Sequence, residues 1–337
     1  MYRNTFLFSV ILYVAFSCSE DNDIINHPPN ADFEVTDWID KYYLISSTTD
    51  SDNDVLSYEW TSESEIISIR NSKNKTAYFK LPTLNESKTI GINHIVYDGQ
   101  AYNTAYKTIQ LPILTDIRRW GLGRILEKEI SNNVDYDWYL DQQNTGLYSE
   151  DNCGPTTVTM ALKWYNKQFS GNAEDARNTY RSSGGWWYTA DITNYLKKFS
   201  VNHYILELNN SDTLINELEK GNIIILCLDM SYIQESTNDE WRVDKFYSSR
   251  YGGAGHFIIL KGYKLVDNQL FFETYDSYSL GAFYEDKSLK GKDRYYRFID
   301  IDKATNNWWD YAIIVSKDSS KSSIGLDSEK IIHTYGI

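Results

Sequence analysis

Residues 152–161 read NCGPTTVTMA, a cysteine and a Gly-Pro pair with an amphipathic run directly after them. From Val158 to Tyr165 the apolar residues recur at the i, i+3, i+4 and i+7 positions. This spacing predicts a helix with one buried face over about 155–167. Cys153 is therefore expected at the amino terminus of a helix.

That position gives Cys153 a chemical role that a core cysteine lacks. The aligned peptide dipoles of a helix favour an anion at its amino terminus, so the nucleophilic thiolate is stabilised there relative to the thiol. Cys227 instead lies inside the apolar run of residues 222–230, which predicts a buried strand and an inert thiol. A disulfide between the two cysteines is the alternative that an oxidising compartment allows.

A cysteine nucleophile needs a base, and His256 is the best placed of the five histidines. It follows a glycine-rich segment, residues 251–255, and begins the run HFIILKGYK. The other histidines fall in the linker, the sandwich, a short strand and the tail, and are His27, His94, His203 and His333.

The segment after His256 predicts a β-hairpin that brings a carboxylate to this base. With a turn near Val266 and Asp267, His256 and Asp276 are equidistant from the turn and should lie opposite each other, about 5 Å apart at Cβ. A polar pair at the mouth of a sheet is the alternative. A slip of one residue would place the two side chains on opposite faces.

Together these residues resemble the papain-like cysteine peptidase superfamily, in particular the branch of double-glycine leader peptidases. The stretches that carry the resemblance are residues 152–161, 218–226, 255–263 and 275–279. It covers about residues 136–316. Predicted helices at 190–199 and 211–220, ahead of apolar strands, independently indicate an α+β domain.

The resemblance implies a role for each matched residue. Cys153 would attack a carbonyl carbon, His256 would act as base and then acid, and Asp276 would orient the imidazole. The family also places a glutamine before the cysteine, whose amide stabilises the oxyanion. Here Gln143 and Gln142 are available, somewhat farther upstream than is usual, and the spacing favours Gln143. No cofactor is implied.

Residues 28–113 consist of short alternating runs separated by turn residues, which predicts a small antiparallel β-sandwich. This part resembles the PKD and cadherin-like immunoglobulin-fold modules of bacterial surface proteins, through PNADF at 29–33, DSDNDVLSYEW at 50–60 and VYDG at 96–99. A connector, residues 114–135, follows, with a helix expected over 120–130. The predicted fold class is multidomain: an N-terminal all-β immunoglobulin-like sandwich and then an α+β papain-like domain.

Asp50, Asp52 and Asp54 alternate along one turn of this sandwich. Carboxylates at alternate positions can converge on a hard cation such as Ca²⁺. An EF-hand loop would need Gly and Glu where this chain has Val55 and Thr61. We therefore favour a polar hairpin turn rich in Asp and Asn.

The N-terminus has the pattern of an export signal, with Arg3 ahead of an apolar stretch of about a dozen residues, which is too short to span a bilayer. The stretch ends in AFSC, residues 15–18, and resembles the lipobox of bacterial lipoproteins. The acidic run at 19–23 resembles the surface-export tag of Bacteroidota lipoproteins. We expect removal of residues 1–17, lipidation of Cys18 and a linker through residue 27. The alternative is an ordinary cleaved signal peptide.

The net charge of −14 argues against a nucleic-acid partner, because no basic face is visible. The membrane is expected to be reached through the N-terminal lipid alone. Residues 317–337 are polar and low in aromatics, and are expected to form a mobile tail.

These features predict an exported, lipid-anchored cysteine peptidase on the outer-membrane surface that cuts a peptide or isopeptide bond in a peptide or protein substrate. An acyl transferase that uses the same three residues, as in transglutaminase-like relatives, is a second enzymatic interpretation. A surface adhesion protein with a papain-like fold and no turnover is the alternative from another class. Adhesion alone gives no reason for Cys153, His256 and Asp276 to occur together.

Overall fold

The fold comes from a computed structural model, which describes residues 25–208, 212–248 and 255–318. Cys18, the predicted export segment, His333 and most of the predicted tail lie outside the described residues. No helix among the described residues is both long enough and apolar enough to cross a bilayer.

The described chain divides into two units. The N-terminal unit contains the chain up to residue 36 with residues 42–82 and 87–111. The C-terminal unit contains residues 37–41, 83–86 and the chain from residue 112 onwards. The predicted fold class, a β-sheet region followed by an α+β domain, is confirmed.

Six strands form two three-stranded sheets in the described part of the N-terminal unit, in the orders β1-β2-β4 and β3-β5-β6. The strands are β1 (Phe33–Trp38), β2 (Lys41–Ser46), β3 (Ser57–Ser62), β4 (Thr76–Lys80), β5 (Lys88–Tyr97) and β6 (Tyr102–Leu111). Phe33 of the first sheet meets Trp60 of the second edge-on, with ring centroids 5.2 Å apart. The Trp60 ring stacks on His94 at 3.7 Å. These buried rings join the two sheets across one core.

The acidic turn of this unit differs from the predicted trio. Asp50 and Asp54 converge with Asp98, and their carboxylate oxygens lie within 4.8 Å of one another. Asp52 instead accepts a hydrogen bond from the backbone N–H of His27 at 2.6 Å. Oδ1 of Asp50 accepts from the backbone N–H groups of Asp52 and Asp54, which is the behaviour of a polar turn. We assign no cation to this turn.

The C-terminal unit consists of helices packed on one β-sheet. Its helices are α1 (Asp116–Arg119), α2 (Cys153–Tyr165), α3 (Ala173–Thr179), α4 (Thr189–Lys198), α5 (Asp212–Glu219) and α6 (Phe298–Asn306). Its strands are β7 (Leu126–Ser131), β8 (His203–Glu207), β9 (Ile223–Asp229), β10 (Gly255–Val266), β11 (Gln269–Asp276), β12 (Arg294–Arg297) and β13 (Tyr311–Val315). The sheet order is β12-β11-β10-β9-β13-β8, and β7 pairs with β10.

Helices cover both faces of this sheet, which explains the unbroken apolar run of β9. Ile223 and Ile225 face a core shared with α2, α3 and α4. Ile224 and Leu226 face the opposite core, shared with α5 and α6. Every residue of β9 is buried as a result.

The prediction of a helix over residues 120–130 is wrong. A short helix, α1, ends at Arg119, and the strand β7 follows from Leu126. Ser131 of β7 pairs with Gly262 of β10. Cross-strand hydrogen bonds, rather than the local sequence, therefore set the structure of this segment. The other three predicted helices are present as α2, α4 and α5, whereas α3 and α6 were not predicted.

Candidate active site

Helix α2 begins at Cys153 itself, two residues earlier than predicted. The preceding residue, Asn152, makes no side-chain cap, so its amide does not occupy the N–H groups of the first turn. Thr157 Oγ1 donates to the carbonyl of Phe257 at 3.0 Å and joins the helix to β10. Gly154 lies directly against Trp187. A Cβ added at position 154 would be only 2.7 Å from the Trp187 Cβ. These contacts hold the half-buried Cys153 beside the start of β10.

His256, near the start of β10, faces Asp276 at the end of β11. Its Nε2 lies 2.7 Å from Asp276 Oδ1. His256 is also close enough to Cys153 for the two side chains to interact electrostatically. Because Nε2 faces the carboxylate, Nδ1 is the ring nitrogen left for the sulfur. The structure thus brings Cys153, His256 and Asp276 into one network.

The hairpin register that led to this pair was predicted incorrectly. Asp276 lies opposite Ile258 rather than opposite His256. The displacement is two residues, so Asp276 and His256 still share a face. The turn lies at Asp267 and Asn268, and a β-bulge interrupts the ladder between Leu260 and Gly262.

Four hydrogen bonds hold the Asp276 carboxylate, which is fully buried. Oδ1 accepts from His256 and from the backbone N–H of Tyr278 at 2.9 Å. Oδ2 accepts from the hydroxyls of Tyr247 at 2.9 Å and Tyr296 at 2.6 Å. Such a carboxylate has all its strong acceptor positions in use and cannot rotate away from the imidazole.

The electrostatics of this network favour the charged forms of both Cys153 and His256. Burial opposes the thiolate, but the neighbouring His256 and the backbone N–H groups of Phe257 and Gly154 outweigh it and lower the pKa of Cys153. Burial also opposes the imidazolium, yet the charge and hydrogen bond of Asp276 raise the pKa of His256 well above its usual range. The same ion pair lowers the pKa of Asp276 against the cost of burial. The arrangement therefore supports a thiolate–imidazolium pair near neutral pH.

Cys227 is free and buried, as the sequence indicated, and the disulfide alternative is wrong because Cys153 is free too. Burial and the nearby Cys153 raise the pKa of Cys227 well above its ordinary value, although the neighbouring Trp308 side chain opposes this shift. The two cysteines are thus chemically unlike.

The two glutamines lie in different environments. Gln142 is buried, and its Nε2 donates to the carbonyls of Ser149 and Glu150, both at 3.2 Å, in the turn before Cys153. Its Oε1 accepts from Ser277 Oγ at 3.0 Å. Gln143, which the spacing favoured, is exposed. Gln142 is therefore the glutamine held against the turn before Cys153, and the oxyanion role of either glutamine stays a prediction.

The aromatic triplet at 186–188 divides between core and surface. Trp187 is buried, whereas Trp186 is 65% exposed and Tyr188 is 46% exposed. A second segment, residues 233–248, has almost no regular structure and ends next to the site through Tyr247. Trp187 of the first segment lies against Gly154, and Tyr247 of the second donates to Asp276.

A helix-terminal cysteine that meets a histidine and an aspartate from adjacent strands is the arrangement of the papain-like cysteine peptidases. The chain belongs to the Peptidase C39-like family, whose profile matches residues 135–303. That match begins one residue before the region of the sequence resemblance, residues 136–316, and ends within it. No curated protein matches the chain.

Solved structures resemble each part of the chain. A Bacillus anthracis protein described as a C39-like peptidase is 15% identical, with a TM-score of 0.39, over 57% of this chain and 99% of that one. The PKD1 domain of Vibrio anguillarum Epp is 19% identical, with a TM-score of 0.21, over 26% of this chain and 99% of that domain.

A nucleoside hydrolase-related protein from Saccharophagus degradans is 24% identical, with a TM-score of 0.23. The matched part is 26% of this chain and only 26% of that protein.

Three residues around the site were missed by reasoning from the sequence. Tyr247 and Tyr296 bind the carboxylate, and Arg177 of α3 binds the turn before the nucleophile. Nothing in the local sequence marks the tyrosines among the 28 of this chain. A lone arginine inside a short helix is likewise an ordinary surface pattern, and only its burial distinguishes it.

Proposed function

We propose that the C-terminal unit is a cysteine peptidase that cleaves a peptide or isopeptide bond through an acyl-thioenzyme. The observation that carries this proposal is the hydrogen-bonded pair of His256 and Asp276 beside Cys153, with charges shifted toward thiolate and imidazolium. A binding protein has no use for a thiol whose pKa is lowered against its burial.

The reaction follows from the positions of these groups. The Cys153 thiolate attacks the carbonyl carbon, and the negative charge moves to the carbonyl oxygen. The backbone N–H of Cys153 and the amide of Gln142 are the donors proposed for this oxyanion. The C–N bond then breaks as His256 gives its proton to the leaving amine, and a thioester remains. Water, deprotonated by His256, hydrolyses the thioester and restores the thiolate.

The place of this reaction is proposed to be the outer cell surface. The lipobox-like residues 15–18 and the acidic run at 19–23 support export and anchoring at Cys18. The β-sandwich unit would then act as a spacer that carries the peptidase domain away from the membrane.

Comparison of the peptides released by cells that carry the wild-type chain or Cys153→Ala tests the function. We expect a set of cleavage products that is absent from Cys153→Ala and present in the matched control Cys227→Ala. Identical peptide sets in wild type and Cys153→Ala would contradict the proposal. Products extended by an added amine, rather than ended by a free carboxylate, would identify the acyl transferase instead.

A further inference from the structure

Arg177 of α3 is a cation in the interior of the C-terminal unit, only 2% exposed. Its Nε donates to Asn152 Oδ1 at 2.7 Å, and Nη2 donates to the carbonyl of Asp151 at 2.8 Å. Its Nη1 donates to the carbonyl of Gly185 at 2.7 Å. One guanidinium therefore joins the two residues before Cys153 to the segment that carries Trp186.

The acceptors of this guanidinium within the described residues are all neutral amide or carbonyl oxygens. A buried charge is costly unless an anion lies nearby. The anions that attract it are the carboxylates of Asp151 and Asp191 and the thiolate of Cys153, while Arg181 repels it. A neutral donor could make the same bonds to carbonyl groups, so the positive charge itself requires an explanation.

The nucleophile turn and the segment of residues 184–188 are in contact at two further points. Gly184 lies against the ring of Tyr148, and a Cβ there would be 2.7 Å from that ring. Trp187 covers Gly154, the residue after the nucleophile. Arg177 crosses this contact and fixes both sides of it by hydrogen bonds.

We propose that Arg177 is a positioning residue of this site, which holds the turn that presents Cys153 and favours the thiolate by its charge. The inference rests on the proposed function, because it assigns the charge a purpose in that chemistry. The Asn152 amide serves the same arrangement: its Oδ1 is used by Arg177, and its Nδ2 donates to Thr145 Oγ1 and the Thr145 carbonyl, both at 2.9 Å.

Several other groups act on the thiolate besides Arg177. His256 of β10 forms the ion pair, and Cys227 of β9 is close enough to interact electrostatically. Asp151, from the turn, and Asp191, from α4, act on Arg177. Variation at Arg177 alone leaves these groups in place.

The experiment measures the rate of iodoacetamide alkylation at Cys153 against pH in the full chain, for wild type, Arg177→Gln, Arg177→Lys and Arg181→Gln. Arg181 is the matched control, because it lies two residues after α3, is more exposed than Arg177 and pairs with Asp191 of α4 at 2.7 Å. We expect Arg177→Gln to raise the alkylation midpoint by about one pH unit, since nearby opposite charge shifts a pKa by about 1–3 units. Arg181→Gln should retain the wild-type midpoint.

Arg177→Lys keeps the charge and loses the planar fork. It should retain an alkylation midpoint near that of wild type and lose at least about tenfold in kcat/KM, because the turn is no longer held. If Arg177→Gln fails to fold, this variant decides the outcome. If Arg177→Lys has both the wild-type alkylation midpoint and the wild-type kcat/KM, the inference is overturned.

An unchanged midpoint in folded Arg177→Gln would also overturn it, even if the thermal midpoint fell, since a merely structural arginine behaves in that way. If only the inference about Arg177 fails, Cys153 of the wild type is still alkylated rapidly. A wild-type Cys153 that reacts no faster than Cys227 would instead remove the proposed function.

Discussion

At Cys153 two opposing effects act on one sulfur. Burial disfavours the anion, and the imidazolium of His256 with two backbone N–H groups favours it. At Cys227 burial acts with the charge of the neighbouring thiolate, and the anion is disfavoured. The same residue type, in one domain, is therefore activated at one position and inert at the other.

Asp276→Asn should lower kcat/KM by about a hundredfold or more. The amide keeps the size of the side chain but removes the charge that stabilises the His256 imidazolium, and general acid–base catalysis is worth about 10²–10⁴. Steady-state kinetics of the purified chain measure the effect, with the exposed Asp137→Asn as the control. Equal rates in the two variants would contradict the role of Asp276.

Gln142→Ala should lower kcat by about 10²–10³, because one oxyanion donor is lost. Gln143→Ala should behave as wild type, because its side chain lies at the surface. The thermal midpoint of both variants must be measured, since Gln142 also bonds Ser277. A loss of stability without a loss of kcat would assign Gln142 to structure alone.

Among the elements, β10 does most to bring the site together, and its β-bulge decides which face Asp276 occupies. The pairing of Gly262 with Glu273, continued without interruption, would place Asp276 opposite Ile259, on the other face from His256. The bulge shifts the register by one residue, and Asp276 meets Ile258 instead. The partner of β10 on its other edge also changes at this point, from β9 to β7.

The sequence is sufficient to predict the helix that begins near Cys153, the buried strand around Cys227 and the pairing of His256 with Asp276. It is not sufficient for the register of the hairpin. The bulge contains Lys261, a fully buried lysine that pairs with Glu273 at 2.6 Å and Asp293 at 2.9 Å. These tertiary contacts come from another strand and a later loop, so no local pattern reveals them.

Gly262→Ala should destabilise the C-terminal unit. A Cβ at Gly262 would lie 2.2 Å from the backbone oxygen of Ile130 in β7, and neither backbone can move freely within a paired ladder. Overpacking of this kind costs about 1–3 kcal/mol. Thermal denaturation followed by circular dichroism measures the loss, and a midpoint equal to that of wild type would show that β7 does not approach this closely.

In the molecule as a whole, two units with different chemistry share one chain. The N-terminal unit presents strands and a polar acidic turn, and its core contains the buried His94. The C-terminal unit contains the cysteine, the histidine and the aspartate. The family match at 135–303 lies wholly within the C-terminal unit, so the proposed activity belongs to that unit.

Acid should destabilise the N-terminal unit through His94. Burial lowers the pKa of this histidine to about 4, so the unfolded chain binds more protons than the folded unit between about pH 6.5 and 4. Stability is therefore present above pH 6.5 and falls as the pH drops through this window, by on the order of 3 kcal/mol. Titration of the His94 ring by NMR measures the effect directly. A midpoint near pH 6.5, or an unchanged acid response in His94→Gln, would contradict it.

Alkylation by iodoacetamide at pH 5.5, with both cysteines followed by mass spectrometry, tests most directly whether a thiolate–imidazolium pair exists at residues 153 and 256. We predict rapid modification of Cys153, slow modification of Cys227, and loss of the rapid reaction in His256→Ala. Equally slow modification of both cysteines in the wild-type chain, or a Cys153 whose reactivity is unchanged in His256→Ala, would contradict the account.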